Sequence, residues 1–372
     1  MDNKRPTWAE INLAAIRNNL CCVKKAVGPG VKVMASVKAN AYGHGVKEVS
    51  RIYLEEGVDF LSVATLDEAL ELGDVGVPVM ILGYVPPQFA DFMVNCSLRA
   101  AIFDVSMARA LSAASQALGR PAYIHLKIDT GMGRIGFAPG EESIAAIQEI
   151  ASLPGINMEG IFSHFAEADG EDDDFTMEQL KTFQDFIQEL EGRGIKIPLR
   201  HCSNSAAIFR YPQTHLDMVR AGIALYGLYP SPYMKKSMDL GIVPAMTLKS
   251  RVSMVKKLPQ GHGVSYGRTY ICDRDTRVAT LPVGYADGYS RRFSNQSWIM
   301  IKGQRANSLG TICMDQCMFD ISGREDITEG EEAVLFGTEA DGITADDLAF
   351  ISNTINYEIV CSVSSRVPRI YV

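Results

Sequence analysis

No uninterrupted apolar stretch in this sequence is long enough to span a bilayer, so no membrane-crossing helix is expected. No basic start leads into an apolar run, so no export signal is visible and a cytoplasmic setting is expected. The eight cysteines include no Cys-x-x-Cys pair. Cys313 and Cys317 stand four apart, but no second pair completes a zinc site; free thiols are expected, and a metal is not. Positive charge is short. The formal net charge is −8, which argues against nucleic acid as a partner. Low-complexity segments and near-identical repeats are absent as well. What is present is 372 residues, 47% hydrophobic and 22% charged, the make-up of an ordinary globular chain with length for two domains.

A rhythm runs through the first part of the chain. Short β-branched or apolar runs alternate with longer amphipathic stretches. The expected strands are Val31 to Val37, Phe60 to Ala64, Val79 to Leu82, Arg99 to Phe103, Tyr123 to Asp129, Met158 to Phe162, Leu199 to Cys202 and Asp217 to Arg220. Between them lie helix-like stretches such as Val46 to Glu56, Leu66 to Asp74, Ser106 to Ala117 and Phe175 to Glu191. Eight such alternations predict an α/β fold, a (β/α)8 TIM barrel. The pattern changes after Pro230-Ser231-Pro232, and from Leu248 short strands dominate. Val252 to Lys257, Arg277 to Val283, Trp298 to Lys302 and Ala333 to Phe336 all read as strands. The expected organisation is an N-terminal segment over 1–12, a barrel over 13–236 and a C-terminal β-rich domain over 237–372, with the boundary near Tyr233 to Gly241.

Barrel enzymes build their sites at the carboxyl ends of the strands and bind phosphate after the seventh and eighth. Here polar residues gather at those ends. Lys38 follows the first strand, Asp129-Thr130-Gly131-Met132-Gly133-Arg134 the fifth, Ser163-His164 the sixth and Ser203-Asn204-Ser205 the seventh. The eighth ends in Arg220-Ala221-Gly222-Ile223, and Gly222 has no side chain to hold a phosphate away from backbone N–H groups. In the fifth strand Tyr123, His125, Lys127 and Asp129 alternate with Ile124, Leu126 and Ile128, so a polar face is expected to point into the lumen. His125 shares that inward parity but reads as a satisfied core histidine. The acidic run Glu167 to Asp174 reads as a solvated loop, and Cys21-Cys22 as helix residues.

The run Val33-Met34-Ala35-Ser36-Val37-Lys38-Ala39-Asn40-Ala41-Tyr42-Gly43-His44-Gly45 starts as an apolar strand and ends in a glycine- and aromatic-rich turn. Lys38 stands where the strand stops. An amine there, next to a buried core, is open to partial desolvation, which keeps its neutral form accessible. Such an amine can form a Schiff base with an aldehyde cofactor. Taken alone it reads first as a strand-end lysine reaching solvent, which is by far the commoner case.

The whole run resembles the pyridoxal-phosphate signature of the alanine racemases. The resemblance continues through Lys127 to Gly136, His201 to Ala207, Arg220 to Gly227, Gly263 to Arg268, Gly284-Tyr285-Ala286-Asp287-Gly288, Cys313-Met314-Asp315-Gln316 and Tyr357 to Tyr371. It implies pyridoxal 5'-phosphate as cofactor, held covalently by Lys38. It implies that Tyr42, Ser205, Gly222, Ile223 and Tyr357 hold the phosphate. Arg220 would face the pyridine nitrogen with His201 supporting it, and His164 would lie beside the ring. Arg134 would reach the cofactor phenolic oxygen and the substrate carboxylate. Tyr266 would be the second acid–base, and Met314 would offer a backbone N–H to the substrate carboxylate. Both would come from the partner subunit of a homodimer with shared sites. Tyr285 would line the access passage, and Lys127 would be carbamylated. The first dozen residues, with Trp8-Ala9-Glu10-Ile11, resemble a segment that the family packs against the second domain. Three small departures stand out: Asn40 in place of the usual Asp, Cys202-Ser203 before Asn204-Ser205, and Thr311 before Ile312-Cys313-Met314.

On that resemblance the reaction is the interconversion of L- and D-alanine, with D-alanine destined for peptidoglycan. A proton leaves one face of Cα and returns to the other, handled by Lys38 and Tyr266. Both bases need pKa values well below those of free lysine and phenol, which cationic neighbours would supply. Arg220 is a donor only and cannot give the pyridine nitrogen a full proton, so the electron sink is weaker and transamination is suppressed. Serine or broader specificity stays open. The enzymatic rival is a decarboxylase of the same architecture, but that group typically sets an acidic residue at the pyridine nitrogen and a glycine run at the phosphate. A non-catalytic cofactor-binding barrel would lack the second domain.

Overall fold

The computed structural model describes residues 5–372; residues 1–4 of the expected N-terminal segment lie outside the described residues. The chain opens with β1 (Thr7–Ile11) and the helix Leu13–Val27. Asn12 starts that helix by accepting a hydrogen bond from Ala15 N at 3.0 Å. Eight barrel strands follow: β2 (Lys32–Ser36), β3 (Phe60–Val63), β4 (Val79–Ile81), β5 (Arg99–Ile102), β6 (Ala122–Lys127), β7 (Ile156–Phe162), β8 (Leu199–His201) and β9 (Met218–Ala221). From β2 to β8 each strand pairs in parallel with the next, and β9 returns to pair with β2, setting Met34 beside Arg220. Between β8 and β9 the ring is closed by Asp217 N donating to Arg200 O at 3.1 Å and Arg220 N to Ser203 O at 3.0 Å. This is the barrel expected from the sequence.

The helices Val46–Glu55, Leu66–Leu72, Val105–Leu118 and Asp174–Gly192 form where the amphipathic stretches predict them. Ile124, Leu126 and Ile128 are buried beneath such helices, whereas His125 and Lys127 are buried in the lumen. Met34, Phe60, Met80, Ala101, Phe162 and Met218 form a separate apolar cluster inside the ring. They floor the cavity above them, so the barrel is a packed core with a polar mouth.

The rest of the chain is strand-rich: β10 (Met246–Arg251), β11 (Met254–Leu258), β12 (Gly263–Val264), β13 (Tyr270–Ile271), β14 (Thr276–Leu281), β15 (Trp298–Ile301), β16 (Gln304–Asn307), β17 (Cys317–Asp320), β18 (Glu332–Phe336) and β19 (Arg369–Tyr371). The largest sheet runs β16-β15-β18-β10-β1-β19. β1 pairs antiparallel with β10 and parallel with β19, so Ala9–Ile11 and Arg369–Tyr371 lie side by side. The expected strand Val252 to Lys257 forms from Met254 onward as β11, and its first two residues fall instead in the crossing between two sheets. The chain leaves the six-stranded sheet at Arg251 and enters the sheet β11-β14-β17 at Met254. Val252 N donates to Glu331 O and Ser253 N to Thr280 O, both at 2.9 Å, so each residue is already claimed by a different sheet. Among the described residues no helix is long and apolar enough to cross a membrane.

Candidate active site

The lysine turn has an unusual backbone. Ala39, Asn40, Ala41 and Tyr42 all have φ between 51° and 53°, so the chain makes a left-handed helical turn directly after Lys38. Such a turn costs about 1–2 kcal/mol per non-glycine residue and needs outside support. Glu68 supplies it at one end, its carboxylate accepting from Ala39 N and Ala64 N at 2.7 Å each. Asn40 supplies it at the other, its side-chain oxygen accepting from Val46 N at 2.8 Å and so starting the next helix. Gly43 and Gly45 follow because nothing larger fits. A Cβ on Gly43 would lie 2.2 Å from Val360 O, and one on Gly45 would lie 1.9 Å from the Tyr371 hydroxyl. Arg369 Nε also donates to Gly43 O at 2.8 Å. The C-terminal segment therefore clamps the turn that aims Lys38.

Lys38 opens into a cavity of about 730 Å³ at the barrel mouth, shared with Lys127, Arg134 and Arg220. None of these four cations is ion-paired within the described residues. Asp129 sits nearby, but its carboxylate is engaged with Gly131 N and Gly133 N at 3.1 Å and shapes the loop that carries Arg134. Burial, then Arg134 and Arg220, lower the Lys38 pKa, so its neutral amine is accessible. Burial and the same arginines push Lys127 down to about 8. Arg220 is buried, and burial pushes it down to about 10, which leaves it protonated near neutrality. Its Nη1 donates to His201 Nδ1 at 2.8 Å and to His201 O at 3.1 Å. Its Nη2 donates to Ser163 O, Cys202 O and His164 Nδ1 at 2.7, 3.0 and 3.1 Å. Nε–H is thus the one guanidinium donor with no acceptor among the described residues.

The other end of the cavity is an anion cradle. Gly222 N donates to Ser205 Oγ at 2.8 Å, and a Cβ on Gly222 would lie 2.9 Å from the Tyr42 hydroxyl. Tyr42 and Tyr357 lie with ring centroids 6.3 Å apart, and Ile223 adjoins them in the cavity wall. Burial pushes Tyr42 up to about 12 and raises Tyr357 as well, so both phenols stay neutral donors. A glycine, two phenols and a serine around one hollow suit a phosphate, and the unpaired cations suit the remaining negative charge of a pyridoxal phosphate. The residues present fit that group.

Three expected residues stand apart from this cavity. Tyr266 is 70% exposed, Met314 51% and Tyr285 42%, all on the strand-rich part of the chain. Tyr266 sits on a tight turn between Ser265 at φ 62° and Gly267 at φ 72°. Thr311 pins that turn, its hydroxyl donating to Tyr266 O at 2.9 Å. Ala286 N donates to Met314 O at 3.0 Å, which stitches the Tyr285 and Met314 loops together, while Met314 N–H has no acceptor among the described residues. His201 lies beneath the cavity, behind Arg220.

Sequence reasoning missed Glu68, although Thr65-Leu66-Asp67-Glu68 has the spacing of a helix-capping box that marks such a residue. It also missed Cys361, which lines the cavity beside Lys38 from the helix Asn356–Ser362. The Glu167 to Asp174 loop is more firmly built than a solvated run. Arg210 donates to Ala168 O and Gly170 O and pairs with Asp173, and Ser231 Oγ donates to Asp169 O at 2.6 Å.

Known proteins resemble this chain along its whole length. The family profiles described as "Alanine racemase, N-terminal domain" and "Alanine racemase, C-terminal domain" match residues 11–230 and 245–371. An alanine racemase of Clostridium perfringens is 49% identical over 371 residues, 99% of this chain and 95% of that protein. An alanine racemase of Desulforamulus reducens is 46% identical over 99% of this chain and its own full length. The solved alanine racemase of Clostridium difficile 630 superposes with a TM-score of 0.94 at 40% identity, covering 100% of this chain and 97% of that one. That of Bacillus anthracis, with bound L-Ala-P, gives a TM-score of 0.94 at 33% identity over 100% and 96%. Barrel, strand-rich second part and matching length agree throughout, and the chain belongs to the alanine racemase family.

Proposed function

We propose that this chain interconverts L- and D-alanine with pyridoxal 5'-phosphate, using one base from each subunit of a homodimer. The observation that carries the reading is the cavity in which Lys38, Lys127, Arg134 and Arg220 converge unpaired above an anion cradle. Lys38 holds the cofactor; Tyr42, Ser205, Gly222, Ile223 and Tyr357 hold its phosphate; Arg220 offers Nε–H to the ring nitrogen, and His164 lies beside the ring. When bound, the cofactor supplies the electron sink that acidifies the amino-acid Cα–H. Arg134 orients the substrate carboxylate, helped by the N–H of Met314 of the partner subunit. Lys38 takes or returns a proton on one face of Cα, and Tyr266 of the partner subunit does so on the other. The exposure of Tyr266 and Met314, and the spare N–H of Met314, support their assignment to a neighbour's site. Tyr285 then lines the access passage.

Lys127 becomes a carbamate in this reading. Its neutral amine attacks the carbon of carbon dioxide, an N–C bond forms as one C=O π pair moves onto oxygen, and the N–H proton goes to solvent. The negative group then offsets Arg220 and holds Arg134 toward substrate. The setting is cytoplasmic, where D-alanine feeds peptidoglycan assembly. Chiral chromatography of purified protein incubated separately with L-alanine, L-serine and the other L-amino acids tests the activity. Fastest formation of D-alanine is expected. Release of an amine and carbon dioxide in place of a D-amino acid would reassign the chain to the decarboxylases.

A further inference from the structure

Arg220 is a buried cation whose protein partners are all neutral. Its hydrogen bonds nevertheless lead to a carboxylate. A guanidinium only donates, so His201 Nδ1 must accept from Arg220 Nη1. The proton of neutral His201 is then on Nε2, which lies 2.9 Å from His125 Nδ1. His125 Nδ1 accepts, its own proton sits on Nε2, and that N–H donates to Glu159 Oε2 at 3.0 Å. Glu159 is forked onto Arg99, with Nε and Nη2 at 3.0 and 3.1 Å. The row runs from the amino end of the barrel, where Arg99 opens β5, to its carboxyl end at Arg220 on β9.

The backbone is shaped for this row. Pairing of β6 with β7 shifts between Ile124 and His125, where Ile124 faces Met158 and His125 faces Gly160. Glu159 is the extra residue, and the bulge re-aims its side chain at His125. Gly160 makes the room, because a Cβ there would lie 2.2 Å from His125 Nδ1. Burial lowers the pKa of both imidazoles, which keeps them neutral. Burial alone would raise Glu159, but the bonds from His125 and Arg99 outweigh it and hold the carboxyl at about 2.

We propose that Glu159 is the remote counter-ion of Arg220 and that His125 transmits its influence through His201, both being positioning residues for the ring-facing arginine. The carboxylate polarises both imidazoles and strengthens His201 Nδ1 as an acceptor. That fixes the guanidinium with Nε–H toward the cavity and tempers its strength as a donor. No proton changes hands along the row. The catalytic consequence rests on the proposed function; the tautomers do not.

The test uses the enzyme as purified, labelled with ¹⁵N-histidine. Both His125 and His201 are expected as Nε2–H tautomers. Glu159→Gln keeps an acceptor for His125 and removes the charge, whereas Arg99→Gln uncovers the charge. The His201 Nδ1 resonance should therefore move in opposite directions in the two variants, and a merely structural role would move it the same way in both. In Glu159→Gln, kcat for alanine should fall about tenfold with KM nearly unchanged, a loss at the low end of that seen when the carboxylate behind a metal-ligating imidazole is removed. An Nδ1–H tautomer at either histidine overturns the proposal. So do parallel shifts in the two variants, or an unchanged resonance and kcat in Glu159→Gln. If that variant does not fold, the wild-type tautomers and Arg99→Gln decide. A wild-type protein with these tautomers and no racemase activity would sink the activity and leave the row standing.

Discussion

Lys127 is 2% exposed, and its ammonium donates one hydrogen bond, to Ile128 O at 2.6 Å. A lysine whose folded pKa lies near 8 against an ordinary 10.5 keeps its proton longer in the unfolded chain. Between those values the unfolded state binds more protons, so folding stability rises with pH. In carbon-dioxide-free buffer, wild type should gain up to about 3 kcal/mol over Lys127→Met between pH 8 and 10.5, read from denaturant midpoints. A flat difference would place the ammonium in a better-solvated site. Lys127→Ala should lose most of its racemisation rate, and short carboxylates such as acetate should restore part of it. A crystal grown with bicarbonate that shows a bare ammonium would remove the carbamate and leave the racemase reading intact. Parity along the fifth strand made the inward side chains of His125 and Lys127 legible. Parity along the sixth strand hid Glu159, since a bulge reverses parity and leaves no mark in the residue order.

The barrel strands were legible because alternation and β-branched runs are strong local signals. The handedness of the Lys38 turn was not. Ala39 and Ala41 carry no preference for left-handed backbone, and the groups that hold it arrive from Glu68, Val360, Arg369 and Tyr371. Only Gly43 and Gly45 hinted at crowding, and what crowds them is hundreds of residues away. Gly45→Ala should destabilise the protein by roughly 1–3 kcal/mol, the usual range for overpacking, and should displace Lys38. Tyr371→Phe removes the oxygen in the way and should recover part of that loss in a double-mutant cycle of thermal midpoints. Gly43→Ala meets main chain, the carbonyl of Val360, so no side-chain change should rescue it. Equal rescue of both would show that the turn is not held by these contacts. The split at Val252 and Ser253 was likewise invisible, because a continuous β-forming run does not say which sheet each residue joins.

In the molecule as a whole, the cavity and the exposed Tyr266 belong to different parts of one chain. A two-fold dimer would give two equivalent composite sites. Mixing Lys38→Ala with Tyr266→Phe chains should then restore about a quarter of wild-type activity, since half the dimers are mixed and each holds one intact site. Mixed dimers that form and stay inactive would return Tyr266 to its own chain. Removing the phenol should slow proton abstraction from one enantiomer far more than from the other, measured by isotope effects in both directions. The sequence disclosed the two-part plan through its change of rhythm. Residue order alone could not disclose that β1 threads into the second part, because strand partners are chosen by three-dimensional proximity; only the likeness of the first dozen residues to the family's opening segment pointed there. That arrangement has a consequence in time. The lysine turn leaves the ribosome early, but the carbonyl and hydroxyl that press against Gly43 and Gly45 belong to Val360 and Tyr371. At ordinary synthesis speeds the interval is on the order of tens of seconds. Throughout it the nascent barrel holds its left-handed turn with only Glu68 and Asn40 to support it, and the clamp closes only once Val360 and Tyr371 are made.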